Sequence, residues 1–244
     1  MSETSGKFLA LGGADDPAVK AVVARALELV SDGARIGLGS GRASHAFIKA
    51  LGARVQQGLR VQGVPTSVSS EHLALELSIP LIDLTEDIEL DLTIDGADEV
   101  APNLDLVKGW GGALVRERVV ASASKRQIIL VGPEKLVQTL GERGRIPVEV
   151  IPLAVGLVTR KLKKLGLAPK IRQKDGRDVV TDNGNVILDC APLKVISDGR
   201  AARELEARIL EMAGVVDTGL FLGTAERVLI GNKDGSVDER VVKS

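Results

Sequence analysis

Apolar positions recur along the chain with two different periods, and the period changes where turn residues fall. Asp16-Pro17 has the form of an N-cap followed by a first-turn proline, and Val19, Val22, Val23, Ala26, Leu27 and Val30 then repeat at helical spacing. This predicts a helix over 17–31 with one buried stripe, stopped at Asp32-Gly33. The next run, 34–39, is short, apolar and closed by glycine, as a buried strand is. A helix over 43–51 follows, then a strand over 61–64, a polar turn over 66–70 and a helix through Leu77 capped by Ser67, Ser69 and Ser70. Residues 90–94 read as a strand ending at Asp95, 113–124 as a helix and 127–131 as the next strand. Strands that alternate with helices predict a parallel sheet covered on its faces by helices. Ligands of such sheets bind beyond the carboxyl ends of the strands.

After about residue 144 the texture changes. A strand over 148–151, a helix over 155–165 and strands over 178–181 and 185–188 come in quick order, and Asp182-Asn183-Gly184 is a tight-hairpin signal between the last two. A helix over 200–212 and a β-rich end with a turn at Lys233-Asp234-Gly235 complete the chain. The expected organisation is one α/β domain made of 1–142 and 212–244, interrupted by a small α/β insertion over 143–211. The first 14 residues, polar and rich in glycine, read as a loose segment; no internal repeat or low-complexity tract stands out.

Composition narrows the functions open to this fold. The 244 residues include three Phe, one Trp and no Tyr, so the core is expected to be aliphatic. Stacking platforms for single-stranded nucleic acid are nearly impossible with so few rings. Lys and Arg number 32 against 33 Asp and Glu, a net charge of −1 that leaves no basic footprint for nucleic acid. No stretch reaches the roughly 18 apolar residues of a membrane span. The segment from Met1 to Gly13 has no long apolar run and is expected not to be a secretory signal. Cys190, the single cysteine, has no internal disulfide partner and, following a strand with no base nearby, is expected to be a small buried residue. Together these features predict a cytoplasmic protein.

Three strand-end segments concentrate the residues with chemistry. In Gly37-Leu38-Gly39-Ser40-Gly41-Arg42 the glycines let backbone N–H groups approach an anion at a helix N-terminus. The segment is neither a Walker loop nor the dinucleotide fingerprint, and it serves equally as a phosphate cradle or a plain turn. In Asp91-Leu92-Thr93-Ile94-Asp95-Gly96-Ala97-Asp98-Glu99, period two puts Asp91, Thr93 and Asp95 on one strand face with Asp95 at the mouth. Such carboxylates suit acid–base work or a metal, or else a solvated turn. The metal reading lacks a histidine, because His45 and His72 lie elsewhere and read as surface or packing residues. The third segment, Lys108-Gly109-Trp110-Gly111-Gly112-Ala113, opens a helix on which Glu117 lies in a small-residue stripe between Arg116 and Arg118. Glu117 is either held by an arginine as a structural pair or kept desolvated as a base. Lys135, just past a strand end, is either solvated or within reach of a phosphate.

Taken together, the three segments resemble the type A family of ribose-5-phosphate isomerases. The match runs on through Pro147-Val148-Glu149-Val150-Ile151-Pro152, through Thr181-Asp182-Asn183-Gly184-Asn185 and through Gly219-Leu220-Phe221. From Asp95 to Asp98 to Lys108 to Glu117 the steps are 3, 10 and 9 residues, as in that family. The resemblance implies a Rossmann-like parallel-sheet domain with a small inserted lid, usually in a homodimer or homotetramer. It implies interconversion of ribose 5-phosphate and ribulose 5-phosphate through an enediolate, without cofactor or metal. On it, Glu117 is the base, Lys108 with the adjoining N–H groups stabilises the oxyanion, and Asp95 and Asp98 hold sugar hydroxyls and assist ring opening. Ser40, Gly41, Arg42, Ala43, Gly96, Ala97, Gly109, Trp110, Gly111 and Lys135 are the implied substrate-binding positions.

The chain departs from the family pattern in places. Where the family's glycine loop usually continues Thr-Gly-Ser-Thr, this one reads Ser40-Gly41-Arg42-Ala43, which loses two hydroxyls and gains a guanidinium. Val19, beside Lys20, stands where many members carry a first-helix lysine, and Trp110 where a small residue is common. A sugar-phosphate sensor of related fold is the rival from another class, but it would not need Glu117 or Lys108, and no DNA-reading segment is evident. A CoA transferase or an amino-sugar-phosphate deaminase fits the Asp95-to-Glu117 spacing less well.

Overall fold

The computed structural model describes residues 16–242, so the expectation of a loose opening segment falls outside the described residues. The first half of the chain runs α1 (Pro17–Leu27), β1 (Ala34–Leu38), α2 (Arg42–Gln56), β2 (Val61–Pro65), α3 (Val68–Glu76) and β3 (Leu92–Gly96). Two short strands, β4 (Glu99–Val100) and β5 (Leu106–Val107), precede α4 (Leu114–Ser122) and β6 (Gln127–Val131). Next come β7 (Ile146–Val150), α5 (Val155–Lys164), β8 (Leu167–Ile171), β9 (Gln173–Lys174), β10 (Arg177–Asp178), β11 (Val186–Pro192) and α6 (Gly199–Leu210). The chain closes with β12 (Val215–Thr218), β13 (Leu220–Phe221), β14 (Arg227–Gly231) and β15 (Val237–Val241).

Six strands form the main sheet in the order β15-β14-β6-β3-β1-β2, all neighbours parallel except the edge pair β14–β15. This is the mixed α/β, mostly parallel architecture of a Rossmann-like fold. Period two sorts its side chains to two cores. Ile36, Leu38, Ile94, Ile128 and Leu130 pack against α1, α2 and α3, whereas Ile129, Val131, Val228 and Ile230 pack with Leu114 of α4. A strand buried on both faces favours apolar side chains at consecutive positions, which is why β6 runs Ile128-Ile129-Leu130-Val131 after Gln127.

A second, antiparallel sheet runs β12-β7-β11-β8. One face, with Val148, Val150, Leu188 and Cys190, is covered by α5 and α6. The other face carries Glu149, Asp217 and Ile187 in one row across the strands, and Ile187 joins the core around Leu114. Helix α4 is therefore held between the two sheets. Arg118 stitches it to the second: its Nε donates to Asp217 at 2.6 Å and its Nη2 to the carbonyls of Thr218 and Leu220 at 2.8 and 2.6 Å. Arg116 reaches the hairpin instead, donating to the Asp182 carbonyl and to Asn183, each at 3.0 Å.

Several elements differ from expectation for local reasons. Helix α1 stops at Leu27 because a tightened turn replaces its last residues, with Leu29 and Val30 donating to the Ala26 and Leu27 carbonyls. Helix α2 begins one residue early and runs on to Gln56, with Val55 past Gly52 packed against the same core as Phe47, Ile48 and Leu51. Of the strand expected over 178–181, Asp178 falls in β10 and the rest is reduced to a single bridge, Val180 to Val186. The hairpin itself is present, with Gly184 at φ +78° and Glu149 Oε1 accepting from Thr181, Asn183 and Asn185. Cys190 lies within β11 and is buried, which pushes its thiol pKa up. The short β13-β5-β4 sheet is not legible in the periodicity at all. No described helix is long and apolar enough to cross a membrane.

Candidate active site

At the carboxyl ends of β1 and β3, two loops approach because glycine permits it. A Cβ on Gly39 would collide with the Asp95 carboxylate. Asp95, fully buried near the end of β3, accepts through Oδ1 from the N–H groups of Ser40 and Gly96 at 3.0 and 2.7 Å and from the Ser44 hydroxyl at 3.1 Å. The Ser40 hydroxyl is occupied with Thr66 and Ser67, each at 2.7 Å. What this loop offers the space above is Gly41 at φ +90° and the first N–H groups of α2, which no side chain caps.

Lys108 follows β5 directly and is 2% exposed. Its Nζ donates to the Gly96 carbonyl at 2.5 Å and ion-pairs with Asp95 Oδ2 at 2.9 Å and Glu117 Oε1 at 3.5 Å. The Phe221 ring, 5.5 Å from Nζ, closes off one side. Burial alone would lower the lysine's pKa, but the carboxylates of Asp95 and Glu117 outweigh it and hold Lys108 above its ordinary value. The ammonium is therefore charged at neutral pH.

Glu117 projects from the first turn of α4 with 6% of its surface exposed. Neither flanking arginine holds it; among the described residues its ion pair is with Lys108. Its second oxygen, Oε2, is buried and has no hydrogen-bond partner among the described residues. Burial pushes its pKa up to about 8; Lys108 works against this, while the like charges of Asp95 and Asp98 add to it. A carboxylate so raised takes and returns protons near neutral pH.

These groups surround a cleft of about 340 Å³. Ser40, Gly41, Arg42 and Ala43 form one wall, Gly96, Ala97 and Asp98 a second, and Lys108, Gly109, Trp110 and Gly111 a third, with Glu117 and Lys135 completing the lining. Asp95 is the one implied site residue outside this lining, placed behind Lys108. Asp98 Oδ2 accepts the Trp110 N–H at 2.8 Å, and Lys135 Nζ stands 3.9 Å from Oδ1. Burial raises the Asp98 pKa, partly offset by that N–H, and lowers that of Lys135. Trp110 is ringed by cations: Arg145 at 4.3 Å, Arg143 at 5.1 Å and Lys135 at 5.6 Å from its ring centre. Glu99 instead serves the fold, accepting from the N–H groups of Gly141 and Arg143 at 2.6 and 2.8 Å.

Arg143, Arg145 and Arg172 around the Trp110 loop escape sequence reasoning, because no local spacing links them to it. His45 is half-buried 3.4 Å from the Ser70 hydroxyl, with burial lowering its pKa. Among the described residues, no three His, Cys, Asp or Glu side chains are grouped to hold a metal ion.

Comparison with known proteins gives one answer. The family profile of ribose 5-phosphate isomerase A (phosphoriboisomerase A) matches residues 62–235. Ribose-5-phosphate isomerase A 1 of Oceanobacillus iheyensis is 44% identical over 220 residues, covering 90% of this chain and 96% of that protein. The ribose 5-phosphate isomerase A structure from Methanocaldococcus jannaschii superposes with a TM-score of 0.86 at 39% identity, covering 94% of this chain and all of that one. The Plasmodium falciparum ribose 5-phosphate isomerase structure gives 0.89 at 35% identity, again over 94% of this chain and all of the other. By this match over most of its length, the chain belongs to the ribose-5-phosphate isomerase A family.

Proposed function

We infer that Glu117 carries the proton when this chain runs its family's reaction. The chain is an aldose–ketose isomerase that interconverts D-ribose 5-phosphate and D-ribulose 5-phosphate, a step of the pentose phosphate pathway. One observation carries the assignment: Glu117 presents, in the lining of the cleft, a buried carboxylate oxygen with no partner among the described residues, beside a lysine that stays cationic. The carboxylate takes the C2 proton of the open-chain aldose, the hydroxyl proton passes from O2 to O1, and the resulting enediolate is protonated at C1 by the same group to leave the C2 carbonyl of the ketose. Lys108 and the N–H groups of the 109–111 loop face the developing oxyanion. Asp98 serves the sugar hydroxyls and ring opening. Asp95, its carboxylate occupied, acts through Lys108 by keeping the ammonium charged and aimed.

The uncapped start of α2, with Gly41, Arg42 and Ala43, and Lys135 across the cleft are our candidates for the phosphate. Arg42 supplies a charge where the family pattern has hydroxyls. Arg42→Ala is expected to raise KM for ribose 5-phosphate about tenfold or more, the loss of one charge-assisted contact of about 1.5–3 kcal/mol, with kcat changed less. An unchanged KM in steady-state assays removes Arg42 from the phosphate site.

Residues 143–211 are proposed as a lid and assembly unit. The support is a separate core under α5 and α6 and exposed apolar side chains at Leu153, Val180, Leu193 and Val195. A homodimer or homotetramer would cover them. The direct test of the activity is to mix the purified protein with ribose 5-phosphate and follow ribulose 5-phosphate. Turnover is expected; tight binding without turnover would instead favour a sensor.

A further inference from the structure

The geometry points to Arg172, outside the cleft, as a positioning residue that holds the peptide planes of the Gly109-Trp110-Gly111 loop and so turns the Gly111 N–H toward the reacting oxygen. The inference rests on the reading that the loop amides, with Lys108, stabilise the enediolate.

Arg172 follows β8 in the second sheet and is separated from the loop by more than sixty positions. Its guanidinium is fixed from behind by Asp189 of β11, with Nε donating to Oδ2 at 2.9 Å and Nη2 to Oδ1 at 2.5 Å. A fork held at two points leaves the remaining nitrogen with a defined direction. That nitrogen, Nη1, donates to the carbonyls of Gly109 and Trp110 at 2.9 and 3.0 Å. The side chain is 10% exposed, so water competes little for these bonds.

No peptide bond in the described chain is cis. In a trans peptide the N–H points opposite to the carbonyl. Holding the Gly109 carbonyl on Arg172 therefore sends the Trp110 N–H the other way, to Asp98 Oδ2 on the cleft wall. Holding the Trp110 carbonyl does the same to the Gly111 N–H, which lies in the cleft lining and has no acceptor among the described residues.

Within the loop only the first of these planes is held, by the Gly112 N–H donating to the Gly109 carbonyl at 3.0 Å; the Trp110–Gly111 plane has no such bond among the described residues. Gly109 and Gly112 sit at φ +98° and +92°, and the N-cap position of α4, Ala113, makes no side-chain cap. A peptide flanked by glycines reverses at little cost, and a reversed plane would set a carbonyl oxygen against the enediolate. Preorganised donors gain their advantage by not having to reorganise as charge develops. Arg172 supplies that fixity from the second sheet.

The test uses the full chain with Arg172→Gln, Arg172→Lys and Asp189→Asn. Three properties are measured: turnover of ribose 5-phosphate (kcat and KM), inhibition by 4-phosphoerythronate, whose carboxylate imitates the enediolate, and inhibition by inorganic phosphate. Arg172→Gln is expected to lose about tenfold or more in both kcat and phosphoerythronate affinity, with KM and phosphate inhibition changed less than about threefold. Lysine, which cannot hold Asp189 and both carbonyls together, should recover little of this. Asp189→Asn should show the same split, and the double variant should be no worse than Arg172→Gln.

Emission from Trp110, the single tryptophan, checks that each variant is folded. A folded Arg172→Gln with wild-type kcat and phosphoerythronate affinity overturns the proposal. So does a parallel loss in all three properties with an unfolded Trp110 spectrum, which marks a merely structural arginine, unless folded Arg172→Lys shows the selective loss. Glu117→Gln separates this inference from the base assignment. It should lower kcat by about 10²-fold or more yet keep phosphoerythronate affinity, and full activity in it would end the base assignment without touching the Arg172 result.

Discussion

Glu117→Gln is expected to lower kcat by about 10²–10⁴-fold while KM for ribose 5-phosphate stays within a few-fold of wild type. The amide keeps the shape of the side chain, and its oxygen can still face Lys108 Nζ, 3.5 Å from the carboxylate in the native chain. It cannot take a proton from carbon. The pH profile carries the same information. Burial pushes the Glu117 pKa up to about 8, so kcat/KM of the native enzyme should climb with pH and level off above about 8 as the carboxylate forms. Residual activity of the glutamine variant should lack that ascending limb. Stability responds in the opposite sense. The folded state holds this proton more tightly than the unfolded chain, so the group's contribution is fully present below its ordinary value of 4.5 and is lost as pH rises through about 8. Urea titrations at pH 5 and pH 8 should show a smaller fall in stability for the variant than for wild type. Equal falls would mean that Glu117 is not the shifted group.

Lys108→Met should be costly twice over. The reaction loses the cation at the developing oxyanion, expected to reduce kcat by about 10²–10³-fold. The fold loses the charge that neutralises two carboxylates, Asp95 at 0% and Glu117 at 7% side-chain exposure. Removing one partner of a buried ion pair costs about 3–5 kcal/mol, because the remaining charge has neither water nor a counterion. Protonation relieves a stranded carboxylate, so the destabilisation should be smaller at pH 5 than at pH 8 by urea denaturation. A variant equally destabilised at both would show that Lys108 acts by packing alone.

How much of this could be read from residues alone depends on how local the information is. β6 is legible end to end because burial on both faces favours an apolar run, and the Asp16-Pro17 start is legible because the cap is made within one turn, Ala18 N–H to Asp16 at 2.9 Å. The strand over 178–181 is not, because its pairing is lost to a hairpin that Glu149 anchors from another strand. In the site, Asp95, Asp98, Lys108 and Glu117 declare themselves by spacing, but their division of labour does not. Spacing cannot reveal that the Asp95 carboxylate is already occupied, or that Arg116 and Arg118 turn away from Glu117 to grip the second sheet. Arg172 is invisible for the same reason, since its two carbonyl acceptors belong to another unit of the chain.

The stitching of α4 by Arg118 has a mechanical meaning. The helix that carries the proposed base is bonded to β12 and its neighbours through Arg118, while its Leu114 also packs with Ile129 and Val131 of the parallel sheet. Its roll about its own axis, and with it the bearing of the Glu117 carboxylate, is set by both sheets jointly. A fluctuation that loosens β12 slackens one of the two anchors of α4. The two sheets therefore act as a single cooperative unit at the point where the chemistry is done.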